Sequence, residues 1–144
     1  MRVVFTQSLD LPSKSNLWDC NKAKTLVIYN SSSANESYLS RIPKSVEVEK
    51  VSSDNPELIS EILARRGCNK VLWECGPRLA TAAIRSNCIQ EIITFIAPKI
   101  LGGERCMNPF GDFEFEDMHE IIKLSQSQLS LIGDDICVKS SFKN

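Results

Sequence analysis

Val71-Leu72-Trp73-Glu74-Cys75-Gly76-Pro77-Arg78-Leu79-Ala80-Thr81 is the stretch whose reading decides the fold. An apolar run ends in a carboxylate, turns through a glycine and enters a helical pattern at a proline. The pattern predicts a buried strand over Val71 to Trp73. A helix opened by Gly76-Pro77 follows, with Leu79, Ala80, Ala83 and Ile84 as its apolar stripe. Such a corner leaves backbone N–H groups free at the helix start, where an anion can sit. The glycine lets a ligand come close to the backbone. Taken alone the unit says little, because many α/β domains carry one for topology.

Working outward, strand-like and helix-like patterns alternate, which predicts a layered α/β domain. Upstream, Val3-Val4-Phe5 and Thr25 to Tyr29 read as strands, and Val46-Glu47-Val48-Glu49 as a strand exposed on one face. A first helix has Asn55 as cap, Pro56 in its first turn and a stripe of Leu58, Ile59, Ile62 and Leu63. Arg65-Arg66 lie in its last turn and Gly67 closes it. Downstream, Ile92 to Ala97 is the longest β-rich run and reads as a central strand that Pro98 stops. An irregular stretch runs from Gly102-Gly103 through Pro109 and Gly111. Ile121 to Leu124 and Ile136 to Val138 then read as two further strands, with a hairpin across Ile132 to Asp135. No internal repeat or domain boundary is visible, so residues 1–144 are expected to form a single domain.

Seventeen basic against 18 acidic side chains give a net charge of −1, which leaves no electrostatic footprint for nucleic acid or an anionic membrane. No apolar run approaches the roughly 20 residues that span a bilayer. The Met1-Arg2-Val3-Val4-Phe5-Thr6 start lacks a signal peptide's apolar core, so a cytoplasmic protein is expected. The six cysteines form no Cys-x-x-Cys pair and His119 is the single histidine, so no metal site is expected and the thiols read as small packing groups. Cys75 beside a helix start offers a nucleophile, yet the one available base, His119, lies in a distant acidic segment. Phe110 to Asp117 reads as a solvated acidic loop anchored by phenylalanines. Trp18 and Trp73 read as packing residues, and Lys99 as a polar cap or a phosphate contact.

Trp73 to Ala80, Gln90-Glu91-Ile92-Ile93 and Ile96-Ala97-Pro98-Lys99-Ile100-Leu101-Gly102-Gly103 together resemble one family closely. It is the C-terminal reductase domain of the bifunctional riboflavin-biosynthesis deaminase/reductase. Arg2 to Phe5, Asn69-Lys70 and Asp135 to Val138 agree, so the resemblance covers nearly the whole chain. It implies a three-layer, dihydrofolate-reductase-like α/β sheet with flanking helices, here lacking its N-terminal strands. It also implies NADPH-dependent reduction of 5-amino-6-(5-phosphoribosylamino)uracil to the ribityl form. By the resemblance Glu74 contacts the substrate, a pyrimidine ribose phosphate. Gln7, Gly76, Pro77, Arg78, Leu79, Ala80, Thr81 and Ala82 contact the cofactor. No catalytic residue is assigned.

The resemblance further implies an upstream zinc deaminase domain and a homo-oligomer. Two departures stand out. Thr6-Gln7-Ser8-Leu9-Asp10 occupies the place of the family's Asp-Ser-x-x-Arg, and Cys75 stands where a small residue is usual. A helix N-terminus contributes about 0.3–1 kcal/mol to a bound charge, up to about 2, whereas micromolar binding needs about 8. The Gly76-Pro77 turn therefore cannot hold a dinucleotide unaided, and weak binding by the isolated chain is expected. The alternatives are a non-catalytic structural or dimerisation module, or a reductase of another pyrimidine or pteridine.

Overall fold

A computed structural model describes residues 1–103 and 108–142. They form two compact units, Met1–Ile59 and Ser60–Asn144. Cys106 lies outside the described residues.

In the first unit, β1 (Arg2–Thr6), β2 (Thr25–Asn30) and β3 (Glu47–Val51) form a parallel sheet in that order. Val4 faces Val27 across the first ladder, and Val27 faces Val48 across the second. All six residues of β2 are buried, Leu26, Val27 and Ile28 completely. A strand covered on both faces reads as a continuous apolar run, and Thr25-Leu26-Val27-Ile28-Tyr29 does so. On one face Val27, Tyr29, Leu9 and Val46 make a core joined by Val4, Trp18, Tyr38 and Leu39.

Parallel strands need long crossovers, and here these are tied down by polar contacts. The Arg2 guanidinium donates to the Asn16 and Leu17 carbonyls at 2.9 and 3.1 Å. The Trp18 indole N–H donates to the Pro12 carbonyl at 2.8 Å, so this tryptophan packs as expected. The Tyr29 hydroxyl donates to Glu36 Oε1 at 3.0 Å, and Lys50 reaches the same oxygen at 2.8 Å. Burial pushes the Tyr29 phenol above its usual range, and the Lys50 bond holds the Glu36 carboxyl below its own.

Helix α1 (Pro56–Arg65) begins where the sequence predicts. Asn55 Oδ1 accepts from the Glu57 N–H at 2.9 Å, a side-chain cap. At the other end Gly67 takes φ 83°, and its N–H bonds the Ala64 carbonyl at 2.9 Å. That left-handed position favours glycine. Ile59, Ile62 and Leu63 of the predicted stripe are buried, and Leu58 is half-buried.

The second unit carries α2 (Pro77–Arg85) and an antiparallel sheet in the order β4-β6-β5. These strands are β4 (Glu91–Ile96), β5 (Leu124–Ile132) and β6 (Asp135–Phe142). The expected hairpin is present: Ile132 pairs with Asp135, leaving a two-residue turn with Gly133 at φ 62°. Glycine in the first place suits the mirror-image turns that match strand twist.

Three expectations are corrected. Val71 to Trp73 is not a strand, and Leu72 is 75% exposed. An apolar run becomes a strand only when a ladder partner takes its N–H and C=O groups, and among the described residues none does. Ile92 to Ala97 is a strand but not a central one. Among the described residues β4 pairs with β6 alone, and Ile93, Phe95 and Ile96 are at least half exposed. Finally, Ile121 to Lys123 lie outside the strand that begins at Leu124. The longer strand was hidden because Ser125, Gln126, Ser127 and Gln128 break the apolar pattern. Its register shifts between Ser125 and Gln128, with Gln126 at φ 52°, the mark of a bulge.

Because β2 is enclosed on both faces, Leu26→Ala should cost about 2–5 kcal/mol. Urea unfolding followed by circular dichroism would show it as a lower midpoint with an unchanged slope.

Candidate functional site

The predicted corner exists as a turn into a helix, though not as a strand end. Gly76 is the N-cap of α2, with φ −72° and ψ 170°, and Pro77 opens the first turn. No side chain caps this end and no acidic residue stands in the first turn. A β-carbon added at Gly76 would meet nothing within 4 Å. The helix therefore starts beside open space, with Arg78 exposed next to it. A bare N-terminus with a neighbouring cation suits a phosphate or diphosphate.

Glu74 is exposed two residues ahead of the cap. Among the described residues no hydrogen bond or ion pair holds its carboxylate. A strand-end carboxylate bonded to a neighbouring loop, the structural alternative for this residue, is not what is found. Cys75 is half-buried, and burial pushes its thiol up, the opposite of what an activated nucleophile needs.

Beyond the first turn the helix faces inward. Leu79, Ala80, Ala82 and Ile84 are half-buried, while Thr81 and Ala83 are buried. The Thr81 hydroxyl accepts from the Gly111 N–H at 2.8 Å, and the Pro77 carbonyl takes the same N–H at 3.3 Å. A β-carbon on Gly111 would sit 3.4 Å from that hydroxyl oxygen, at van der Waals contact. Arg85 then clasps the Phe113 carbonyl and reaches Glu114 at 3.5 Å. Phe113 and Phe115 stack with centroids 5.2 Å apart. The Phe110 to Asp117 loop is thus tied to α2 by backbone bonds at Gly111 and Phe113, while its phenylalanines pack on one another. Thr81 spends its side chain on docking that loop.

Lys99 lines an open cleft of about 610 Å³ with Pro98, Leu131, Ile132, Gly133, Asp134 and Asp135. This cleft lies at the hairpin and contains none of the residues assigned to the cofactor or substrate. Among the described residues no group of three His, Cys, Asp or Glu side chains converges to hold a metal.

The sequence-predicted Gln7 belongs to the first unit, where it joins residues that no motif announced. β1, β2 and β3 run parallel, so their carboxyl ends lie on one edge, the edge where open α/β sheets bind ligands. There the Gln7 side-chain amide donates to Asp54 Oδ2. The Asn30 amide donates to Asp54 Oδ1 at 2.7 Å. Ser33 Oγ donates to the Gln7 carbonyl at 3.0 Å, and Ser31 Oγ to the Val51 carbonyl at 3.1 Å. The one available signal was position: Asn30 ends β2 and Asp54 follows β3, where polar loops begin.

These elements are those of the dihydrofolate-reductase-like α/β class. Residues 1–138 match the family model of the RibD C-terminal domain. The chain is 37% identical over 137 residues to the chloroplastic riboflavin biosynthesis protein PYRR of Arabidopsis thaliana, covering 95% of this chain and 23% of that protein. It is 39% identical over 137 residues to the riboflavin biosynthesis protein RibD of Synechocystis, covering 94% of this chain and 37% of that protein. The chain thus spans well under half the length of these curated relatives. A solved pyrimidine reductase-like protein from Corynebacterium diphtheriae has a TM-score of 0.78 at 20% identity, over 99% of this chain and 60% of that one. The chain belongs to the RibD C-terminal domain family.

Because desolvation raises the Cys75 thiol, its thiolate should be scarce at neutral pH. Iodoacetamide should alkylate it slowly at pH 7, and the rate should climb only above the usual thiol range of about 8.5. Peptide mapping across pH checks this. Fast, selective labelling at pH 7 would restore Cys75 as a nucleophile.

Proposed function

We propose that this chain is the reductase part of a riboflavin-forming enzyme. In this reading it reduces 5-amino-6-(5-phosphoribosylamino)uracil to the ribityl form with NADPH, beside a deaminase domain in the longer protein. One observation supports it most. The family's Glu-x-Gly-Pro segment appears as an uncapped, unobstructed helix start next to Glu74, whose carboxylate has no partner among the described residues. The residues fit the cofactor: Gly76 leaves room for its diphosphate, and no acidic side chain opposes it in the first turn of α2.

Bound there, NADPH supplies the hydride. Gly76, Pro77, Arg78 and Leu79 would hold the diphosphate, since the pull of a helix end fades after its first turn. Ala80, Thr81 and Ala82 complete the assigned cofactor segment by holding that turn in place, Thr81 through Gly111. Glu74 binds the ribose hydroxyls or the amine of the pyrimidine ribose phosphate and orients the carbon to be reduced. Gln7, on the first unit, is assigned to the cofactor as well. Among the described residues no helix is long and apolar enough to cross a membrane. The cytoplasm is the proposed compartment, although the Arabidopsis relative is named chloroplastic.

The exposed β4 favours a second reading beside the first, self-association. Ile93, Phe95 and Ile96, at 50%, 57% and 52% exposure, stand on a strand with one unpaired edge among the described residues, and such an edge templates pairing with another chain.

The test couples the deaminated pyrimidine ribose phosphate to NADPH oxidation in the longer protein that contains this chain. Glu74→Gln should lower kcat by between about tenfold and about a hundredfold, the cost of a misoriented substrate. An unchanged kcat and KM would remove Glu74 from the reaction. Absence of substrate-dependent NADPH oxidation by the wild type would sink the activity itself.

A further inference from the structure

The Phe110 to Glu114 segment is fixed to α2 at Pro77, Thr81 and Arg85, positions that share one face of the helix. The Gly111 N–H donates to Thr81 Oγ1 at 2.8 Å and reaches the Pro77 carbonyl at 3.3 Å. The Arg85 guanidinium donates to the Phe113 carbonyl and lies 5.9 Å from the centroid of the Phe113 ring. The segment is braced within itself as well. The Glu114 N–H bonds Asp112 Oδ1 at 2.8 Å, and the Phe113 ring contacts those of Phe110 and Phe115. Thr81 is buried at 6% exposure, so little water competes with Gly111 for its hydroxyl.

The bond to Pro77 acts on a peptide unit that also faces the open corner. The Pro77 carbonyl and the Arg78 N–H belong to one planar trans amide and point in opposite directions. In the first turn Pro77 has no N–H, and that of Ala80 bonds the Gly76 carbonyl at 3.0 Å. The amides of Arg78 and Leu79 are then the ones left to an anion. A donor on the Pro77 oxygen fixes the plane of its peptide and polarises the Arg78 N–H at the other end.

We infer that Thr81 is a positioning residue. By holding the Gly111 N–H against the Pro77 carbonyl, it orients the Arg78 amide toward the diphosphate of the cofactor. Arg85 fastens the far end of the same strap. Thr81 acts through the turn and does not itself touch the cofactor. The inference rests on the nicotinamide-reductase reading above and deepens it.

Nitrogen-15 NMR of the chain during titration with inorganic pyrophosphate tests this without catalysis. In the wild type the Arg78 and Leu79 amide resonances should move together and saturate. Thr81→Val keeps the shape and removes the hydroxyl. It should raise the half-saturating pyrophosphate concentration by about threefold to tenfold, the worth of one weakened hydrogen bond. Thr81→Ser retains the acceptor and should stay within about twofold of the wild type. Arg85→Met loosens the other end of the strap and should shift the titration the same way as valine, which guards against one variant misfolding. In the longer protein, Thr81→Val should raise the KM for NADPH with kcat unchanged within about twofold, the mark of lost binding.

A Thr81→Val variant that melts earlier yet titrates like the wild type would reduce Thr81 to a fold contact and overturn the inference. A Thr81→Ser variant as weak as the valine one would overturn it too, and so would wild-type amides that ignore pyrophosphate. Pyrophosphate binding without NADPH oxidation by the longer protein would instead sink the reductase reading, and the cofactor role of this corner with it.

Discussion

The parallel pairing of β2 between β1 and β3 is the constraint on which the first unit depends. A strand buried on both faces must be largely apolar, with any polar side chain bonded, and must have both backbone edges taken, since no water reaches them. Thr25 to Tyr29 meets the first demand and its two neighbours meet the second. Parallel direction then has a chemical consequence. It brings three carboxyl ends to one edge, so that Gln7, Asn30 and Asp54, far apart in the chain, share hydrogen bonds. Hydrophobic burial thereby sets the geometry of a polar cluster without contributing a polar atom to it.

The second unit solves a different problem. Its helix start at Gly76 is bare, with no capping side chain and no neighbouring acid, and a bare end leaves N–H groups without intrahelical partners. A cap of serine or aspartate there would be worth about 1 kcal/mol. Glycine forgoes it and leaves the approach open instead. The fixed partner of this helix lies further along, where Thr81 and Arg85 hold the Gly111 to Phe113 segment. One end of α2 is thus clamped by the protein and the other end is available to a ligand. That division of labour is consistent with the reductase reading, and it shows why Thr81 serves the site indirectly.

Particular residues show how far the chain could be read. Asn55, Pro56 and Gly67 mark α1 correctly because caps and left-handed turns are local chemistry. Gly133 marks the hairpin for the same reason. Val71 to Trp73 and Ile92 to Ala97 misled because apolarity predicts burial without naming the partner that provides it. One segment is irregular and the other lies at a sheet edge. The start of β5 was missed because serine and glutamine there satisfy a bulged ladder that no period-2 pattern reveals.

The candidate site divides along the same line. Glu74, Gly76 and Pro77 stand together in the sequence, so a local motif could point to them, and the family resemblance rested on that contiguity. Asn30 and Asp54 left no such trace. Their meeting depends on the crossover from β2 to β3, and the hydrogen bond between them carries no sequence signature. What the amino-acid order determined by itself is what short-range sterics and capping chemistry decide: helix ends, turns, the apolar β2 strand and the glycine corner. Tertiary structure alone decided which apolar strands found partners and where the Asp54 charge came to rest. Those outcomes depend on ladder pairing and packing between residues distant along the chain, and no local rule encodes them.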